Sequence, residues 1–358
     1  MNPDVGPSSP SERAVALWLR EVVAGCPARL GAIDDGFVRV LRDQRLDLLA
    51  ARHGAEHPLL LEADKSAFVR TTLMARAAAG ALDVLSEAGA PAAVIKGLPL
   101  GARFWGDAAA RPASDIDVLV RPSDVAAAQR AFEEAGFAHD EPLPAWYVDR
   151  HFYHTCFRCP GPAPFLFELH WDIKRAEFGV TPVGEMLAEA VEVDCGNRVL
   201  RALSPECQVV VSAVHVLRHG LAVRDLLDVA LIAVTLDSRG WREVTALATR
   251  CGVERLLYVA TMVAAARFDY RVDPHLRSVR PGGMLGGYVD RLISELPLVS
   301  RPGPSTVRRL KTSLALSLGA RGARLAGAEA VHWAALASAR RRHRGNHRAV
   351  ASSSDRLR

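Results

Sequence analysis

Apolar residues recur at helical spacing through most of the first ninety positions. "SERAVALWLREVVAG" opens with Ser11 as a candidate N-cap, and "DDGFVRVLRDQRLDLLAARHG" and "KSAFVRTTLMARAAAGALDVLSEAG" follow, each ending near a glycine. The period then changes. "AAVIKG" is a short apolar run that reads as a buried strand, and "LPLGARFWG" suits a short helix with Pro99 in its first turn. "DIDVLV" predicts a second strand. Ser123 or Asp124 then caps a helix over "SDVAAAQRAFEEAGF", with Gly136 as its stop. "FYHTCFRC" and "FLFELHWDI" flank the turn-rich "PGPAP" and predict a hairpin. After about residue 180 the pattern is helical again, in "SPECQVVVSAVHVLRHG", "VRDLLDVALIAVTLD", "WREVTALATRCG" and "ERLLYVATMVAAARF".

This order predicts an α+β protein, a small mixed-sheet core between helical flanks. The expected organisation is an N-terminal helical region over 1–88, an α/β core over 89–180 and a C-terminal helical domain over 181–300. Beyond the Pro/Gly-rich "VSRPGPST", a basic region over 301–358 is expected to be partly helical with a disordered end.

Composition changes this picture little. With 49% hydrophobic and 24% charged residues, the 358-residue chain has the make-up of a globular protein. The formal charge of +5 is unevenly spread: residues 301–358 hold twelve arginines and one lysine against Glu329 and Asp355, so the remainder is net acidic. That tail could contact nucleic acid or an acidic partner, or be a solvated terminus with no specific partner. Six cysteines show no disulfide rhythm, no stretch has the roughly 20 apolar residues of a membrane helix, and the start "MNPDVGPSSPSER" lacks a secretory pattern. A cytoplasmic location is expected.

The candidate chemistry lies in "RPASDIDVLVRP". Alternation along a strand puts Asp115 and Asp117 on one face, roughly 7 Å apart, while Ile116, Val118 and Val120 face a core. Two such carboxylates repel unless a cation intervenes. Mg²⁺, one ion or two, is suited to that position because carboxylates and substrate phosphates together hold it. Lys96 and Gly97, at a strand end before a helix, are candidates for binding phosphate, and Arg111 is a further one. Glu168, between Phe167 and Leu169, is the candidate third acid. The competing reading has these acids capping helices or pairing with arginines.

The motif "VIKGLPL…RPASDIDVLV…FELHW" resembles a poorly characterised bacterial nucleotidyltransferase family within the DNA polymerase β-like superfamily. The resemblance covers roughly residues 85–173 and extends more weakly to "HVLRHG…RDLLDVALI". It implies Asp115, Asp117 and Glu168 as a catalytic, metal-binding triad and Lys96-Gly97 as the phosphate loop. The implied activity is Mg²⁺-dependent transfer of an NMP from an NTP, ATP among them, to an unknown acceptor (small molecule, peptide, protein or RNA), with release of pyrophosphate. Lys96-Gly97 stands where most active superfamily members carry glycine-serine, so the alternative is an inactive nucleotide-binding or partner protein of the same fold.

Other residues are weaker candidates. His170 shares the strand face of Glu168 and is expected to pack or to orient a carboxylate. His215 and His219 have the spacing of zinc-binding helices, but Val216 stands where H-E-x-x-H has its glutamate, so packing or lining of the cleft is favoured over zinc. Asp225 and Asp228 could serve the acceptor hydroxyl as a general base, although a cap or a pair with Arg218 or Arg224 is favoured. Cys156 and Cys159 form a C-x-x-C without a matching second pair, and two free thiols are expected.

Overall fold

The computed structural model describes residues 9–140, 152–161, 164–174 and 180–296. The "VSRPGPST" segment and the basic C-terminal region lie outside the described residues.

The first helix, α1, is Pro10–Val23, and its N-cap is Ser9 rather than Ser11. The hydroxyl of Ser9 accepts from the Glu12 N–H and the Glu12 carboxylate accepts from the Ser9 N–H, which closes a capping box, with Pro10 at the first helical position. The second apolar stretch is two helices, α2 (Asp35–Asp43) and α3 (Asp47–Arg52). They part where Arg45 takes a left-handed φ of 57°. A two-residue parallel pair, β1 (Gly31–Ala32) and β2 (Ala55–Glu56), brackets them. Helix α4 runs Pro58–Glu87, starting seven residues before the expected Lys65 because Pro58 fits a first turn and the His57 ring accepts from the Leu59 N–H.

The sheet begins with β3 (Ala93–Val94), followed by α5 (Leu98–Phe104) and β4 (Asp115–Leu119). A short 3₁₀ turn leads into α6 (Val125–Glu134), which has no side-chain cap bond from Ser123 or Asp124. The strands β5 (Ala138–His139), β6 (His154–Arg158) and β7 (Leu166–His170) come next, with β6 and β7 forming the expected antiparallel hairpin. Helix α7 (Val183–Ala188) precedes a second hairpin, β8 (Val191–Asp194) and β9 (Val199–Ala202), in a region where only helices were expected. Sheet order is β5-β6-β7-β4-β3-β9-β8, with β4 parallel to β7 and antiparallel to β3. The remaining helices are α8 (Pro205–Arg218), α9 (Val223–Ala233), α10 (Ser238–Cys251), α11 (Glu254–Phe268) and α12 (Gly283–Ser294). The molecule is thus α+β, a seven-stranded mixed sheet with helices before and after it.

The two faces of β4 belong to different cores. Ile116, Val118 and Val120 join α4, α6 and the Phe132, Phe157 and Phe167 rings on one side. Leu119, on the face shared by Asp115 and Asp117, packs into the core built by α1 and α8 to α11. The acids therefore point towards a helical layer and not towards open water. No helix among the described residues is long and apolar enough to cross a membrane.

Candidate active site

Parallel pairing of β4 with β7 sets Asp117 directly beside Glu168, and the hairpin adds Cys156 next to Glu168 and His154 next to His170. One sheet face thus gathers Asp115, Asp117, Glu168, His170, His154 and Cys156.

Asp117 is the electrostatic centre. Its Oδ1 accepts from Lys96 Nζ at 2.8 Å and lies 2.9 Å from His170 Nε2. Burial alone would push its carboxyl up, but Lys96 and His170 outweigh burial and hold it well below the usual range. His170 Nε2 also lies 3.2 Å from Glu168 Oε2. Burial works against the imidazolium there, and the two carboxylates reverse that effect and raise its pKa. Glu168 is lowered in turn, its burial outweighed chiefly by the His170 hydrogen bond. Asp115 moves the other way, raised by burial and then by the charges of Asp117 and Glu168.

A cavity of about 400 Å³ opens beside these groups. Its lining includes Lys96, Gly97, Asp115 and Asp117 from the sheet side, His215, His219 and Asp225 from the helices, and Gln44 and Arg45 from the α2–α3 break. Gly97 caps α5 at φ 67° and ψ −117°, a conformation that side-chain-bearing residues avoid, so the chain can turn there beside Ala113 and the Asp115 carbonyl.

The donor set fits a hard divalent cation. Asp117 Oδ2, Asp115 Oδ2 and Glu168 Oε1 accept no hydrogen bond among the described residues, and one atom each from Asp117, Glu168 and His170 lie within 4.8 Å of one another. The Asp115 carboxylate stands outside that close group. The histidine expected only to support the acids thus sits between two of them.

Arg111 lines the cavity, but its Nε and Nη2 donate to the two oxygens of Asp228 at 2.7 and 2.6 Å. Burial disfavours the guanidinium and Asp228 more than offsets it, which raises the arginine's pKa. Asp228 is fully engaged, since Trp105 Nε1 also donates to it at 2.9 Å. The expected arginine partner for this acid was Arg218 or Arg224; the structure supplies Arg111. Asp225 does pair with Arg224, at 2.9 Å, and its other oxygen lies 3.2 Å from His219 Nδ1. Those contacts outweigh its burial and depress its carboxyl.

Two further basic residues complete the surroundings, Arg45, which the sequence did not single out, and Arg218, which was expected only as a partner for Asp225 or Asp228. Arg45 lines the cavity with no ion pair among the described residues. Arg218 stacks over the Tyr153 ring at 5.3 Å and likewise has no carboxylate partner there. Burial lowers its pKa, while the charge of Asp117 acts in the opposite direction. Nothing in the sequence marked Arg45, which lies inside "DDGFVRVLRDQRLDLLAARHG", read as one helical stretch, and Arg218 lies one residue before His219 in a helix already in view. Neither Cys156 nor Cys159 forms a disulfide; the Cys159 sulfur accepts from the Phe165 N–H across the hairpin.

A strand-borne acid pair, a third acid in register and an open cavity lined by lysine and arginine fit a site of the nucleotide-handling class. The chain belongs to the family described as uncharacterised nucleotidyltransferase, whose model matches residues 34–269. That span takes in every candidate site residue and both halves of the cavity wall. No curated protein matches the chain.

Proposed function

We propose that the chain is a Mg²⁺-dependent nucleotidyltransferase of the DNA polymerase β-like type, moving an NMP from an NTP to an acceptor and releasing pyrophosphate. The observation that carries this reading is the Asp117–Glu168 register, with Asp117 lining the cavity and an unbonded carboxylate oxygen on each acid. Asp117, Glu168 and Asp115 would hold the cation, which when bound supplies charge neutralisation to the phosphates.

The chain's own residues supply the rest. Lys96, ion-paired with Asp117 before substrate enters, turns its ammonium to the phosphates once the acids are otherwise compensated. Arg45 adds a second cation at the cavity wall. The acceptor oxygen bonds to the α-phosphorus as the bond to the β-phosphate oxygen breaks. The acceptor proton passes to a carboxylate lining the cavity. Catalysis of this kind is mostly positioning and charge stabilisation.

One observation favours a second reading. Lys96 and His170 already compensate Asp117, as they would in a protein that binds nucleotide without turning it over. Pyrophosphate release with Mg²⁺ and each NTP, compared between the natural chain and Asp117→Asn, separates the two. The enzyme reading expects a loss of at least about 100-fold in the variant. Equal release from both, or nucleotide binding with no release from either, contradicts it.

A further inference from the structure

His215 and His219 lie one turn apart on α8, and their ring centroids are 3.8 Å apart. Sequence spacing alone does not give this pair a third ligand. The fold does: α9 packs against α8 and brings the Asp225 carboxylate to the two rings, so that one ligand atom from each residue lies within 4.8 Å of the others. We propose that His215, His219 and Asp225 form a second metal site, for a zinc-class divalent ion, on the helical wall of the same cavity.

Four features support it. Two imidazoles and one carboxylate are the donors that borderline-soft ions such as Zn²⁺ select, whereas the sheet acids present mainly hard oxygen donors. The third ligand is held in place, because Arg224 Nε and Nη2 donate to Asp225 Oδ1 at 3.0 and 2.9 Å and leave Oδ2 on the histidine side. The His215 ring lines the cavity and has no hydrogen-bond partner among the described residues, so its nitrogens are uncommitted. All three residues line the cavity that also holds Asp115 and Asp117, so a bound ion keeps an open position facing that space.

Donor atoms in a tetrahedral zinc site lie about 3.4 Å apart, given metal–ligand bonds near 2.1 Å. His219 Nδ1 and Asp225 Oδ2 already meet that spacing at 3.2 Å, and the half-exposed His219 ring has room to adjust to an ion. The site does not depend on nucleotidyl transfer, and its test reads binding alone.

The full-length chain, stripped with a chelator, is titrated with Zn²⁺ against a chromophoric competitor and separately with Co²⁺ as a spectroscopic probe. The expected result is one tight equivalent of Zn²⁺ and a Co²⁺ ligand-field spectrum without a thiolate charge-transfer band. His219→Ala should weaken Zn²⁺ binding by about 100-fold or more, and Arg224→Leu by about 10-fold, while Asp117→Asn and Cys156→Ser change it no more than a few-fold. His219 is exposed enough for its truncation to spare the fold, which a matching unfolding temperature confirms. Absence of a stoichiometric site in the natural chain overturns the proposal. So does equal binding by His219→Ala. A thiolate band abolished by Cys156→Ser also overturns it, by placing the ion on the nearby His154, Cys156 and Glu168 group.

Discussion

Arg111 and Asp228 show a charged residue committed to support inside a site built for charge. Both are nearly inaccessible, and their two-point contact is reinforced by Trp105. Removing one partner strands the other in a medium that solvates it poorly, so Asp228→Ala should lower unfolding free energy by about 3–5 kcal/mol. Denaturant unfolding measures it, and a loss below about 1 kcal/mol would show that water or another group takes over. The same site contains a pH-sensitive residue. Burial, and then the nearby His170, push the His154 imidazole down to about 4. An unfolded histidine takes up its proton near 6.5. Above that value both states are neutral and the full stability is present. As pH falls from about 6.5 towards 4 the unfolded chain gains a proton that the folded one refuses, and up to about 3 kcal/mol is lost. Unfolding of chelator-treated protein at pH 7 and pH 4.5 should show a smaller drop for His154→Gln; identical drops would contradict the assignment.

At the scale of elements, α5 is a tight fit. A Cβ on Gly101 would come within 2.7 Å of the Ala108 carbonyl oxygen, which is backbone and cannot rotate away. Gly101→Ala should cost about 1–3 kcal/mol and lower the unfolding temperature by several degrees; an unchanged temperature would mean that the 105–110 turn gives way freely. What could be read in advance follows the range of each interaction. The period of "DIDVLV" fixed which side chains share a face, because alternation is a property of one strand. The hairpin around "PGPAP" was legible for the same local reason. Other features were not legible. "VEVDCGNRVLRA" does alternate around a Cys-Gly-Asn turn, but two four-residue strands between helices are a weak signal. Their place beside β3 is decided by Val94 and Ala202 meeting across a long stretch of chain. Cap choice turned on one position: Ser9 outcompetes Ser11 because Glu12 then falls at the third helical residue.

At the scale of the molecule, the site exists only where three distant parts of the chain meet. Arg45 comes from the α2–α3 break, Asp115 and Asp117 from the central strand, and His215, His219 and Asp225 from the later helices. Sequence could nominate most of these residues by type and spacing, but not that Arg111 would turn to Asp228, nor that His170 would sit between Asp117 and Glu168. Those pairings depend on which oppositely charged groups the packed helices bring close. The proposed function requires the sheet acids to hold a divalent cation carrying an NTP in this cavity. A crystal of the full-length chain soaked with Mn²⁺ and a non-hydrolysable NTP tests it most directly. The expected result is an anomalous manganese peak bonded to Asp117 and Glu168, with the nucleotide's phosphates reaching Lys96. A nucleotide seated elsewhere, or manganese absent from those two carboxylates while Lys96 stays on Asp117, would contradict it.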